Sequence, residues 1–153
     1  MMARGQLEGV SLGQTSEFMR SLWRFNHALE RASRRMENLR GVTLQQRMLV
    51  RFVGKYPGTT ASQLATYFYL DPGTISATVA RLQQKGLLEG RRTHRDRRRV
   101  TLGLTAAGRA LDGETADGID RALELLTGAS DEEASASGLL ERLAAQLEAM
   151  ISP

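Results

Sequence analysis

The sequence has no cysteine in its 153 residues, which excludes disulfides, zinc fingers of the cysteine type and thiol chemistry. Its only histidines are His27 and His94, too few for a histidine-built metal site or a histidine–serine pair, and neither a metal nor another cofactor is expected. There is no Gly-rich phosphate loop, nucleophile elbow or carboxylate pair at catalytic spacing, so no enzyme is expected. No apolar run approaches the roughly 20 residues that span a bilayer, and Met1 to Gly9 carries no apolar stretch behind its single arginine. The expectation is a cytoplasmic protein with no membrane partner. Aromatic residues are scarce at 5%, and lysine is rarer still, since 19 of the 21 basic residues are arginine.

What is present suits a folded protein. Apolar residues at 41% and charged residues at 25% fit one ordinary globular domain or two very small ones, with enough chain to bury a core. The net charge of +4 conceals a strong polarity. Residues 1–40 hold seven basic and four acidic side chains, residues 41–110 hold twelve and three, and residues 111–153 hold two and ten. The middle block therefore suits a polyanionic partner, and the flanks serve another purpose.

The first dozen residues lack periodicity and read as an arm. Phe18, Leu22, Phe25, Leu29, Ala32, Met36 and Leu39 then recur in alternating steps of four and three, a heptad-like stripe that predicts one long helix ended by Gly41. So narrow a stripe on so long a helix calls for a second helix or subunit. Thr43 is an N-cap for a second helix with Leu44, Met48, Leu49, Phe52 and Val53 on one face, stopped at Tyr56-Pro57-Gly58. Thr60-x-x-Gln63 is a capping box for a third, with Leu64, Ala65 and Phe68 as its apolar face. Asp71-Pro72 caps and starts a fourth, which runs to Lys85 and stops at Gly86. Segments 87–93 and 99–104 read as a hairpin, because Val100, Leu102 and Leu104 alternate with polar or small residues. A helix over about 104–127 follows despite Gly108, Gly113 and Gly118. Ser130-x-x-Glu133 caps a last helix with Leu139, Leu140, Leu143, Leu147, Met150 and Ile151 on one side.

This order predicts a mostly α fold of α+β character: a winged helix-turn-helix lobe with a two-stranded wing, flanked by N- and C-terminal helices whose apolar stripes suit a dimerisation domain. The expected boundaries are 1–40 for the arm and first helix, 41–105 for the lobe and 106–153 for the C-terminal helices. In such a lobe the fourth helix enters the major groove. Ile75, Val79 and Leu82 form its core arc, and Thr74, Ala77, Thr78, Arg81 and Lys85 are expected opposite, with Ser76 at the edge. Small residues let a helix approach base edges, threonine bonds a base or touches a thymine methyl, and arginine takes guanine or a phosphate. Arginines 91, 92, 95, 97, 98 and 99 surround one acid, Asp96. That density of like charge needs a counter-charge, which a phosphate backbone or a narrow minor groove supplies. Asp96, two residues before Arg98, orients that guanidinium or caps the turn.

Asp96-x-Arg98-x5-Leu104-Thr105 resembles the wing signature of the MarR family of bacterial transcription regulators. Leu70-Asp71-Pro72-Gly73-Thr74, Val79-x-Arg81-Leu82 and Lys85-Gly86-Leu87 resemble that family's recognition helix, and Leu104-Thr105-x2-Gly108 is similar to the start of its next helix. The motifs cover residues 60–110, and the order of elements extends the likeness to about 15–150. The resemblance implies an obligate homodimer through Phe18, Leu22, Phe25 and Leu29 together with Leu139, Leu143, Leu147 and Met150. Its two lobes would read a pseudo-palindromic operator in double-stranded DNA, with half-sites about one helical turn apart. It also implies that Arg98 reaches the minor groove while Thr74, Ser76, Thr78 and Arg81 serve the major groove and adjacent phosphates. The whole expected DNA-facing set is Ser62, Gln63, Pro72, Gly73, Thr74, Ser76, Ala77, Thr78, Arg81 and Lys85, with Arg95, Asp96, Arg97, Arg98 and Arg99 on the wing.

Members of the family that sense zinc or oxidation depend on histidine and acidic clusters or on cysteine, and this sequence has neither. A small aromatic or phenolic effector remains, with Trp23, His27, Phe52 and Tyr56 as candidates to hold it. Phe52 as plain core and Trp23 as interface cover is the competing reading. The implied function is a nucleoid-associated bacterial repressor, released from its operator by a ligand. The alternatives are a ligand-independent or architectural DNA-binding protein, or a basic protein that adheres to RNA or anionic lipid. The lipid reading is disfavoured because residues 87–105 contain no aromatic to sit beside the arginines.

Overall fold

Capping chemistry fixes where the helices begin and end. The computed structural model describes residues 13–92 and 100–113, together with Gly138, Leu140, Glu141 and Ala145. Helix α1 (Gln14–Arg40) is 27 residues long, roughly 40 Å at 1.5 Å per residue, and starts four residues before the apolar stripe does. It stops at Gly41, whose φ of 71° is left-handed and whose N–H bonds the Glu37 carbonyl. Thr43 opens α2 (Leu44–Lys55) with a complete capping box, Oγ1 accepting from the Gln46 N–H and Gln46 Oε1 accepting from the Thr43 N–H. Thr60 and Gln63 form the same box at the head of α3 (Ala61–Phe68). Asp71 caps α4 (Pro72–Gln84), its Oδ1 accepting from the N–H groups of Gly73 at 2.7 Å and Thr74 at 3.2 Å. Gly86, at φ 69°, turns the chain out of α4.

Strands β1 (Leu88–Arg92) and β2 (Val100–Leu104) pair antiparallel, with Leu88 opposite Leu104, Gly90 opposite Leu102 and Arg92 opposite Val100. Leu88, Leu102 and Leu104 are buried, whereas Val100, at the outer end, is exposed. A further pairing has no counterpart in the sequence reading. The Gly58 N–H donates to the Leu102 carbonyl at 2.9 Å and the Leu102 N–H to the Thr59 carbonyl at 2.8 Å. The turn that ends α2 thus also ties β2 to the helices.

After β2 comes α5 (Ala106–Gly113). Thr105 serves two elements through one hydroxyl, donating to the Gly86 carbonyl at 2.6 Å and accepting from the Gly108 N–H at 3.0 Å. Gly108 is required by close approach, since a Cβ there would lie 2.1 Å from the Leu87 carbonyl oxygen. The Leu104-Thr105-x2-Gly108 motif is therefore a packing device in which a helix seats on the backbone leaving α4. Gly108→Ala is expected to cost roughly 1–3 kcal/mol, occasionally more, because backbone must move to admit the methyl. Urea unfolding should show a lower midpoint at an unchanged slope, and wild-type stability in this variant would contradict the packing.

The core gathers Val42, Leu49, Val50, Val53, Leu64, Ala65, Ile75, Val79, Leu82, Leu88, Leu102, Leu104 and Leu111. On α2 the buried arc is turned from the one expected: Gln46, Arg47, Leu49, Val50 and Val53 are buried, while Leu44, Met48 and Phe52 are only half-buried. The cause is that α1, α5 and β2 all pack on α2, so that even Arg47 is enclosed, its Nη1 donating to the Leu111 carbonyl at 2.9 Å. Among the described residues no buried side-chain nitrogen or oxygen lacks a hydrogen-bond partner.

The compact unit that contains these elements runs to Gly113, past the boundary expected at residue 105, because Leu111 of α5 belongs to the core. Residues 114–153 form a second unit, in which Gly138, Leu140, Glu141 and Ala145 are helical and Leu140 is exposed. The expected capping box at Ser130 and the apolar positions Leu139, Leu143, Leu147, Met150 and Ile151 lie outside the described residues. No helix among the described residues is long and apolar enough to cross a membrane.

Candidate nucleic-acid interface

The turn from α3 to α4 decides what α4 presents. Tyr69 closes α3 in the left-handed region at φ 51°, an uncommon conformation for a non-glycine residue, and Asp71 then restarts the chain as a helix cap. Ile75, Val79 and Leu82 of α4 are buried as expected. Thr74, Ser76, Ala77 and Arg81 are exposed, so a surface of small and hydroxylated side chains with one guanidinium faces outward. Pro72 and Gly73 are exposed at its head, although the Gly73 N–H is already committed to Asp71. Gln84 and Ala80, which the sequence reading left out, are exposed too. Gln84 lies about 180° from Ile75 at 100° per residue, so the same helical arithmetic could have found it, and its amide both donates and accepts.

Thr78 is a correction. It is only 5% exposed, and its Oγ1 donates to the Thr74 carbonyl at 2.8 Å. At 100° per residue it falls about 40° beyond Leu82, flanking the core arc, and its hydroxyl is spent on the helix backbone. Lys85 and Gln63 are also engaged within the chain. The Lys85 ammonium donates to the Gly41 carbonyl and to Gln46 Oε1 at 3.0 Å, and Gln63 Oε1 accepts from the Thr60 N–H at 2.9 Å. Ser62, beside Gln63 in the first turn of α3, is exposed. On β1, Arg92 is exposed, while Arg91 is held by Glu89, with Nη2 2.6 Å from Oε1. An exposed pair of this kind contributes little to stability, yet it offsets one of the six wing arginines. Arg95, Asp96, Arg97, Arg98 and Arg99 lie outside the described residues.

The candidate effector residues fall in two places. Phe52 of α2 and Tyr56, which caps its end, join Tyr67 and Phe68 of α3 in one aromatic cluster, with ring centroids 4.9 Å apart for Phe52–Tyr56 and 4.5 Å for Phe52–Tyr67. Trp23 stands 64% exposed on α1, and His27 lines a groove with Arg31, Arg34, Arg35, Asn38 and Leu39. Tyr67, a member of the cluster, was not among the expected residues because α2 and α3 meet only in the folded lobe. Among the described residues no group of three or more histidine, aspartate or glutamate side chains could hold a metal ion. Along α1 only Met36 is buried; Phe18, Leu22 and Leu29 are half-buried, and Phe25 and Leu39 are 52% and 65% exposed.

Residues 40–99, from the end of α1 to the wing, match the model of the MarR family. That stretch of the chain is similar to the MarR family. Over 68 residues it is 35% identical to the HTH-type transcriptional regulator BilQ of Clostridium symbiosum, a span of 44% of this chain and 47% of that one. Over 76 residues it is 28% identical to the organic hydroperoxide resistance transcriptional regulator of Bacillus subtilis, covering 50% and 52% of the two chains. The chain spans about half the length of these curated relatives. The likeness in structure is wider. Streptococcus pneumoniae FabT, solved in complex with DNA, superposes with a TM-score of 0.62 at 27% identity over 89% of this chain and 96% of that one.

Proposed function

We propose that this protein is a MarR-family transcriptional regulator that binds double-stranded DNA as a homodimer and represses by occupying promoter sequence. The observation that carries the reading is the outer face of α4, where Thr74, Ser76, Ala77 and Arg81 stand exposed on a helix whose start is fixed by Asp71. That face has the size and chemistry to enter a major groove and reach base edges. FabT, to which the chain is similar in structure, was solved in complex with DNA. The wing arginines are assigned to the flanking phosphates and, for Arg98, to the minor groove. The apolar stripe of α1 supports a second copy as partner, because a chain alone leaves Phe25 and Leu39 open to water and Phe18, Leu22 and Leu29 half-covered. Leu139, Leu143, Leu147 and Met150 are proposed as further dimer contacts.

Selection of bound duplexes from a random-sequence pool tests this reading. It should enrich a pseudo-palindrome with half-sites about one helical turn apart. A pool that stays unenriched while the protein binds it would favour the architectural alternative. Release by an aromatic effector is the remaining part of the proposal, and the Phe52–Tyr56–Tyr67 cluster supports it, because the Tyr56 and Tyr67 rings are exposed and offer faces for stacking. Phenolic and aromatic acids titrated against the bound duplex should release it. Failure of all of them would leave a ligand-independent regulator.

A further inference from the structure

The elbow between α1 and α2 is a polar junction of three helices. The Ser33 hydroxyl of α1 accepts from the Leu44 N–H at 3.1 Å, and the Thr43–Gln46 capping box closes the head of α2. Gln46 is buried there beside Val42. Into this junction, from the end of α4, comes the ammonium of Lys85, donating to the Gly41 carbonyl and to Gln46 Oε1. The Gly41 carbonyl belongs to the cap of α1, where the last carbonyls of a helix have no partner within it and carry partial negative charge. A cation at that point satisfies an orphan acceptor and complements the helix dipole.

We infer that Lys85 is a positioning residue, whose ammonium locks the end of the recognition helix to the α1–α2 elbow and does not bind a DNA phosphate. The inference rests on the DNA-binding reading and goes beyond it, since Lys85 belonged to the expected DNA-facing set. Two of its three donors are used inside the chain, although at the end of α4 it falls about 20° from Thr74 and 60° from Leu82, between the exposed face and the core arc. Gly41 and Gln46 stand 44 and 39 residues from Lys85 in the sequence, so these bonds join segments that nothing local connects. Any rotation of α4 relative to the end of α1 breaks them. The angle at which α4 meets DNA is thereby tied to the position of the proposed dimer helix.

The test compares Lys85→Met and Lys85→Gln with the wild-type full chain by two measurements. Amide hydrogen exchange over residues 41–47 should accelerate on the order of tenfold in Lys85→Met, as expected for loss of a charged hydrogen bond. It should be partly restored in Lys85→Gln, which is neutral but still a donor. Exchange unchanged in both variants overturns the inference. Duplex binding measured at several salt concentrations should weaken in Lys85→Met at the wild-type salt slope. A slope reduced by about one unit in both variants would mark Lys85 as a phosphate contact and overturn the inference. Should Lys85→Met not fold, the Lys85→Gln comparison decides by the same two readouts. If the wild-type chain shows no salt-dependent binding to any duplex, the DNA-binding reading fails, and the exchange result still decides the role of Lys85.

Discussion

Leu29→Asp is expected to turn a homodimer into a monomer and to lower affinity for a duplex carrying two half-sites by about 10²- to 10⁴-fold, the advantage that linked binding sites confer. Leu29 is half-buried on the stripe of α1 and absent from the core of the lobe, so the lobe should keep its fold. A carboxylate placed in an apolar contact between copies loses water without gaining a partner, and the association yields before the side chain does. Leu22→Asp, two turns earlier on the same stripe, should behave alike. Light scattering during size exclusion reads the oligomer, and anisotropy with one-half-site and two-half-site duplexes reads the binding. A variant that remains dimeric refutes the stripe as the interface.

Replacement of Arg95, Arg97, Arg98 and Arg99 by alanine should reduce the salt slope of binding by up to about 3.6, since each neutralised phosphate contributes about 0.9. Affinity should fall on native and scrambled duplexes together. Arg81→Ala should act differently, costing about 1–3 kcal/mol on the native site and relaxing preference at one position if the guanidinium reads a base. Arg98→Ala alone should relax preference at the flanks of the site, where the minor groove is read by its width. Equal and small losses from Arg81→Ala and Arg98→Ala would reduce both to bulk electrostatics.

The elements most legible in the sequence are those decided by neighbours in the chain. Thr60-Gln63 and Asp71-Pro72 announce helix starts through bonds that span two or three residues, and the structure forms them. Gly41 and Gly86 mark helix ends because the chain there enters a left-handed conformation that glycine adopts without strain. The alternation of Leu102 and Leu104 likewise gives β2 its inner face. What the sequence concealed is set by tertiary contact. The buried arc of α2 includes Val50 and Arg47 because three elements pack on it. Gly58 reads as a helix stop, yet its N–H also pairs with Leu102, a partner 44 residues away. Gly108 looks like a penalty within a helix, yet the absence of a Cβ is what makes room for the Leu87 carbonyl.

The candidate site divides along the same line. Thr74, Ser76, Ala77 and Arg81 follow from helical geometry and are exposed in the fold. Thr78 is expected with them by the same helical arithmetic, yet its angle puts it next to Leu82, and its hydroxyl turns inward to the Thr74 carbonyl. Lys85 reads as a free cation until the elbow of α1 and α2 is seen beside it. Phe52 and Tyr56 are near one another in any α2 helix, but their contacts with Tyr67 and Phe68 depend on how α3 packs.

Fluorescence anisotropy separates sequence-specific DNA binding from attachment to the backbone alone. A labelled duplex from the region upstream of the protein's own gene is titrated beside a scrambled duplex at several salt concentrations. The native duplex should be preferred by about 10³ or more at physiological salt, with a steep salt dependence on the scrambled one. Equal affinity for the two duplexes, falling in parallel as salt rises, would contradict specific recognition of that region and leave only electrostatic attachment to the backbone.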